Sequence, residues 1–223
     1  MEVLGLLPYS SNYVFLVRVA SGDDRVLAIY KPTKGERPLW DFEPGTLGAR
    51  EAAAFVVSEA AGWAFVPPTV LRDDAPLGAG SLQLFIEHDP ERHYFVLFEE
   101  RPAEFGSFAA FDIVINNADR KAGHVLEDEG GRIWGVDHGL TFNVDPKLRT
   151  VIWEFGGRPL PADVLGRLEA LREAWDEREL SSHLKRLLSG PEVAATRTRL
   201  EELLADPVYP EPTSRQHLPW PLV

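Results

Sequence analysis

The apolar residues change their spacing part-way along the chain, and no other feature constrains the fold as strongly. Before about Asp89 they come in strand-length runs. Tyr13 to Val19 is β-branched and aromatic, Ser21-Gly22-Asp23-Asp24 supplies turn residues, and Arg25 to Tyr30 is apolar again. That pattern predicts a β-hairpin ending at Lys31-Pro32, where proline has no N–H to donate. One helix interrupts this part: Leu47 to Ala61 carries Ala52, Ala53, Phe55 and Val56, and Gly62 stops it. Val66 to Val70 reads as an extended connector and Ser81 to Glu87 as an apolar strand. From Ser107 onward Phe108, Phe111 and Ile115 recur at helical spacing. A short hairpin follows, Val125-Leu126 and Arg132 to Val136, with the acidic Glu127-Asp128-Glu129 expected at a solvated tip. Pro161 to Ala205 is helical, with Leu165, Leu168, Leu171 and Trp175 on one stripe and Leu200, Leu203 and Leu204 on another. The chain thus divides into a β-rich part, residues 1–89, a mainly helical part, residues 90–206, and a Pro-rich tail, residues 207–223. The tail is expected to lie as an extended strap or a frayed end.

Composition narrows the function classes. With 223 residues, 44% of them hydrophobic and 26% charged, the chain can bury a sizeable core. Its formal net charge of −12 argues against nucleic-acid binding, whose affinity comes from neutralising phosphates, while leaving room for a local basic pocket that holds a small phosphate ligand. There is no cysteine, so disulfides, thiolate metal sites and thiol nucleophiles are excluded. Met1-Glu2-Val3-Leu4-Gly5 has neither the basic region nor the long apolar stretch of a signal peptide. The apolar stretch from Ala52 to Val66 is broken by Glu59 and Gly62 and is too short to span a bilayer. A cytoplasmic chain without an integral membrane segment is the expectation. Arg outnumbers Lys 18 to 5, as a GC-rich genome favours.

Three features carry chemistry. Lys31 sits at a strand end inside Ala28-Ile29-Tyr30-Lys31-Pro32, where its ammonium suits a point charge for nucleotide phosphates, or alternatively keeps a sheet edge soluble. Asn117-Ala118-Asp119-Arg120-Lys121-Ala122-Gly123-His124 is a polar loop after a buried helix. Asp119 there is placed to orient a hydroxyl or accept its proton, with Arg120 fixing its carboxylate; a plain Asp–Arg staple would look the same. Trp134-Gly135-Val136-Asp137-His138-Gly139-Leu140 puts an aspartate at the end of an apolar strand, followed by a glycine. That is a place for a metal-binding carboxylate, or for a tight Asx turn.

In this order and spacing the features resemble the phosphatidylinositol 3/4-kinase-like superfamily. The likeness is closest to the type II phosphatidylinositol 4-kinases, more distant to HipA-type toxin kinases, and within the superfamily it points to a small actinobacterial kinase-like branch. It runs from about Pro8 to Phe142, through Ser10-Ser11-Asn12-Tyr13, Tyr30-Lys31-Pro32 and Arg50-Glu51-Ala52-Ala53-Ala54-Phe55. It continues through Val66-Pro67-Pro68-Thr69, Gly80-Ser81-Leu82-Gln83-Leu84-Phe85-Ile86-Glu87, the Asn117–Asp119–Arg120 loop and Val136-Asp137-His138-Gly139-Leu140. The resemblance implies an α+β, bilobal protein-kinase-like fold with a β-rich N-lobe and a mainly helical C-lobe, using ATP with Mg2+ or Mn2+. It assigns Ser10, Ser11 and Asn12 to the phosphate-covering loop, which here lacks the usual glycines. Lys31 would hold the α-phosphate side of ATP, Glu51 would pair with Lys31, Gln83 to Ile86 would form the hinge with Phe85 and Ile86 reading the adenine edge, and Leu140 would pack under the ring. Asp119 would be the catalytic aspartate and Asp137 the metal ligand. The family loop reads Asn-x-Asp-Arg-His-x-x-Asn, so Lys121 stands at the His position and His124 at the metal-binding Asn position. Lys121 would then supply charge to the γ-phosphate, and His124 would ligate the metal, an imidazole suiting Mn2+ better than Mg2+.

The activity expected is phosphoryl transfer from ATP to an acceptor that is a lipid, a protein or a small molecule. The alternative is a nucleotide-binding pseudokinase that switches a protein partner, motivated by Lys121, His124 and the glycine-poor first loop. A third reading, metal-dependent hydrolysis, would use His124, Asp137 and His138 as ligands.

Overall fold

A computed structural model of the chain describes residues 1–8, 12–177 and 179–223. Among them, five strands form an antiparallel sheet in the order β1-β2-β3-β5-β4: β1 Glu2–Leu6, β2 Phe15–Ser21, β3 Asp24–Pro32, β4 Thr69–Arg72 and β5 Gly80–Leu84. The expected hairpin is β2–β3, closed by the Ser21↔Asp24 pair, with Gly22 at φ 58° supplying the left-handed turn residue. Side chains alternate between the two faces. Val17, Ala28, Tyr30 and Leu82 cluster on one face, so Ile29, Lys31, Ser81 and Gln83 share the other. That second face meets helix α1, Leu47–Ala60, which buries Ala52, Ala53, Ala54 and Val57. Gly48 permits the close approach, since a Cβ there would lie 3.4 Å from Ser81.

The helical part is built on α3, Phe105–Ile115, whose apolar residues are buried almost all round. Helices α4 (Ala162–Asp176), α5 (Glu179–Leu184) and α6 (Gly190–Ala205) complete a core shared with α1, centred on Val57, Phe111, Leu168, Leu171 and Leu200. The second hairpin is β6 (Val125–Glu127) and β7 (Ile133–Gly135). No helix among the described residues is long and apolar enough to cross a membrane.

Several local expectations shift. Strand β5 ends at Leu84, although Phe85 N–H still donates to Leu27 O at 3.0 Å. A short helix not anticipated from the sequence, α2 (Tyr94–Glu100), follows, and β1 adds an exposed edge strand. In α4 Val164 takes the buried position expected for Leu165. Glu127 is not solvated but ion-paired with Arg92 and Arg101. The tail is a strap: Val208 bridges to Pro159, the buried Tyr209 hydroxyl donates to Gly106 O (3.1 Å), and Leu222 O accepts Ala122 N–H (2.7 Å).

Candidate active site

Alternation along β3 turns Lys31 toward α1, and there its ammonium meets the buried carboxylate of Glu51 through Oε1. Lys31 Nζ also donates to Asp137 Oδ1 at 2.7 Å, linking residues 106 positions apart. Glu51 Oε2 accepts the His138 N–H at 3.0 Å, so one carboxylate holds both the lysine and the segment that carries Asp137. Asp137 itself sits at φ 59°, a left-handed conformation that costs a non-glycine residue energy and that the surrounding contacts impose. Burial works against the Lys31 ammonium, but the charges of Asp137 and Glu51 outweigh it and raise its pKa. The Lys31 charge in turn holds the Asp137 carboxyl well below the usual range. Burial pushes Glu51 up, opposed by Lys31.

Helix α3 stops at Asn116, whose φ of 52° reverses the chain into the Asn117–His124 loop. Asp119 N–H donates to Asn117 Oδ1 (3.0 Å), and Ala118 N–H to Leu140 O (2.8 Å), which pins the loop to the Asp137 segment. The expectation that Arg120 fixes the Asp119 carboxylate is corrected here. Arg120 is fully buried and pairs with the equally buried Asp112: Nη2 lies 2.9 Å from Oδ1 and Nε 3.0 Å from Oδ2. A guanidinium without water needs partners on all its donors. Its others are Val136 O at 3.0 Å and His138 Nε2 at 2.6 Å. Asp112 also accepts from Asn117 (2.9 Å) and Thr150 (3.3 Å). Asp119 is paired instead with Lys121, at 3.2 Å. Burial raises the Asp119 carboxyl above its ordinary value, against the lowering charge of Lys121.

His124 Nδ1 accepts the Lys121 N–H (3.4 Å), which leaves the proton of the neutral ring on Nε2, 3.4 Å from Asp137 Oδ2. Burial keeps the ring neutral, with its pKa down to about 4. His124 therefore donates toward Asp137 in this arrangement. His138, which the hydrolytic reading needs as a ligand, is buried with Nε2 committed to Arg120. Among the described residues no group of three or more His, Asp or Glu side chains is set to hold a metal.

A cavity of about 280 Å³ brings together Asn12, Lys31, Glu51, Asp119, Asp137 and Leu140. Lys121 and His124 stand one contact behind it, through Asp119 and Asp137. Leu140 packs beside Phe42, Leu47 and Ala118. Gln83, Phe85 and Ile86 are not in the lining. Gln83 is buried in the sheet and donates to Thr69 Oγ1 (2.8 Å), the Phe85 N–H is committed to Leu27 O, and Ile86 O is paired with His88 Nδ1 (2.8 Å). Ser10 and Ser11 lie outside the described residues. Sequence reasoning missed Glu36 and Arg37, which reach the cavity from the loop before α1 and carry no local signal. It also missed Asp112, whose signal was available: a lone carboxylate inside an apolar helix eight positions before an arginine.

No protein-family model matches the chain. It is 36% identical over 256 aligned positions to Protein Rv2133c of Mycobacterium tuberculosis, covering 99% of this chain and 91% of that protein. The chain belongs to the Rv2133c family. Among solved structures, this member of the Rv2133c family is similar to a Helicobacter pylori proinflammatory kinase, CtkA, with a TM-score of 0.58, 11% identity and 93% of each chain covered. A hydra Fam20 structure with sugar aligns with a TM-score of 0.49 and 15% identity, over 87% of this chain and 80% of that one. The likeness to CtkA establishes a kinase-like fold, a sheet followed by helices, as the sequence led one to expect.

Proposed function

We propose that the chain is an ATP-dependent phosphotransferase, with residues 1–89 as its N-lobe, residues 90–206 as its C-lobe and the nucleotide in the cavity that contains Lys31. The observation that carries this reading is the run of contacts from Glu51 through Lys31 to Asp137, ending in the cavity that Asp119 also lines. Phosphoryl transfer asks a site to position its reactants and neutralise charge rather than to do covalent chemistry. Lys31 supplies the positive charge for the phosphates, and Glu51 keeps its side chain extended. Asp119 orients the acceptor hydroxyl and takes its proton, a role that its raised pKa suits. Lys121 steadies the Asp119 carboxylate. Asn12 closes the phosphate side of the cavity. The order of motifs shared with the phosphatidylinositol 3/4-kinase-like superfamily supports this division of roles.

A divalent cation, Mg2+ or Mn2+, fits the donor set. Asp137 is a hard oxygen donor whose side chain is 53% exposed, and such ions are commonly bound by one or two carboxylates together with substrate phosphates rather than by a protein cage. Asp137 would hold it, and it would neutralise charge on the transferring phosphoryl group. His124, by donating to Oδ2, orients that carboxylate.

The test is turnover of γ-labelled ATP by the parent, Asp137→Asn and Lys31→Met, with Mg2+ or Mn2+. Both variants are expected to lose at least about 100-fold in rate while keeping the parent's circular dichroism. Equal turnover in Asp137→Asn and the parent overturns the assignment. A rise in melting temperature with ATP but no turnover would instead select a nucleotide-binding pseudokinase.

A further inference from the structure

Beside the cavity of Lys31 lies a second recess of about 360 Å³, bounded by Asp119, Arg149, Gln216, Leu218, Pro219 and Trp220. Asp119 borders both. The backbone places Arg149 there: its N–H donates to Asn117 O (2.8 Å) and its carbonyl accepts the Arg120 N–H (3.0 Å). Arg149 is thus stitched to the loop on both sides of Asp119. The facing wall is the strap, held by Thr150 N–H to His217 O (3.0 Å) and Ala122 N–H to Leu222 O (2.7 Å). Trp220, 88% exposed, stands on this wall.

The cations nearby are already engaged. Lys31 is held by Glu51 and Asp137, Lys121 by Asp119, Arg120 by Asp112, and Lys147 by Asp41 at 3.0 Å. The Arg149 side chain is exposed and has no hydrogen-bonded or ion-paired partner among the described residues. It is close enough for its charge to act on Asp119. In a chain of net charge −12, an uncompensated guanidinium at the edge of a recess is a local attraction for anions. Its planar fork matches a carboxylate or a phosphate through two parallel hydrogen bonds.

We infer, building on the phosphotransferase reading, that this recess is the acceptor site and that Arg149 selects an acceptor carrying a carboxylate or phosphate group close to the hydroxyl that is phosphorylated. The hydroxyl oxygen forms a bond to the γ-phosphorus of ATP. The bond from that phosphorus to the bridging oxygen breaks, its electron pair leaving on ADP, and the hydroxyl proton passes to the Asp119 carboxylate and then to solvent. Arg149 binds the anionic group and sets the position of the hydroxyl.

The experiment measures transfer from γ-labelled ATP by the full chain to two series of probes. One series is glycerol against glycerate and glycerol phosphate; the other is a serine peptide flanked by glutamates against the same peptide flanked by glutamines or lysines. The anionic members of at least one series are expected to be preferred by about tenfold or more, as a charge-assisted hydrogen-bonded pair provides. Whichever series shows the preference tells a small metabolite from a polypeptide. Arg149→Ala is expected to abolish the preference and Arg149→Lys to keep part of it, both retaining thermal stabilisation by ATP with Mn2+. Neutral probes accepted equally well, a preference that survives Arg149→Ala, or an ATP-hydrolysing chain that phosphorylates no probe would each overturn the inference. A parent chain that ATP does not stabilise would instead overturn the phosphotransferase reading and this inference with it.

Discussion

Asp112→Ala tests whether the buried Arg120 organises the site. Asp112 and Arg120 are both completely buried, so the substitution leaves a guanidinium inside the protein without its carboxylate. Removing one partner of such a pair costs about 3–5 kcal/mol. Asn117 and Thr150 lose an acceptor at the same time, which places the effect toward the upper end. Against a total stability of about 5–15 kcal/mol this is a large fraction. At about 2–4 °C per kcal/mol for a chain of this size, the melting temperature should fall by about 6–20 °C. The control is Glu2→Ala, which breaks the Arg18 pair whose side chains are 45% and 63% exposed; it should cost less than about 1 kcal/mol. Urea unfolding followed by circular dichroism measures both, with unchanged m-values as the check that only stability moved. The double variant Asp112→Leu with Arg120→Met removes both charges and should be more stable than Asp112→Leu alone. An Asp112→Ala chain within about 1 kcal/mol of the parent, or a double variant no better than the single one, would refute the argument.

Other outcomes follow from the same contacts. Since burial raises the Asp119 carboxyl and Lys121 opposes that rise, the acid limb of kcat/KM should lie above the ordinary aspartate range. Lys121→Ala removes the charge that favours the ionised form, so the limb should move to higher pH; movement to lower pH would remove Asp119 from the role of proton acceptor. A Cβ at Gly80 would lie 2.3 Å from Lys31 O and 2.8 Å from Pro32 Cα, so Gly80→Ala must push β5 away from β3 and cost about 1–3 kcal/mol. Gly166, inside α4, has nothing within 4 Å of that position, and Gly166→Ala should stabilise by roughly 0.5–1 kcal/mol. In thermal melts a rise for Gly80→Ala would contradict the first assignment, and a fall for Gly166→Ala the second.

The sequence by itself determined the order of elements and the position of the charged groups along them. The β2–β3 hairpin, α1 with its glycine stop, α3, the second hairpin and the C-terminal helices all follow from periods of two or 3.6 residues and from turn chemistry, which act between neighbours in the chain. Lys31 at a strand end and Asp137 after one were visible for the same reason. The short helix α2 and the edge strand β1 were not: α2 spans only seven residues, and β1, exposed along its length, is set by pairing with β2 rather than by a local pattern. Only the tertiary structure decided which charge meets which. Arg120 adjoins Asp119 in sequence yet pairs with Asp112, while Lys31 and Asp137, 106 positions apart, share a hydrogen bond. Taking an ion out of water is so costly that its partner is chosen by burial and by the crossing of elements, and no local pattern records where elements cross.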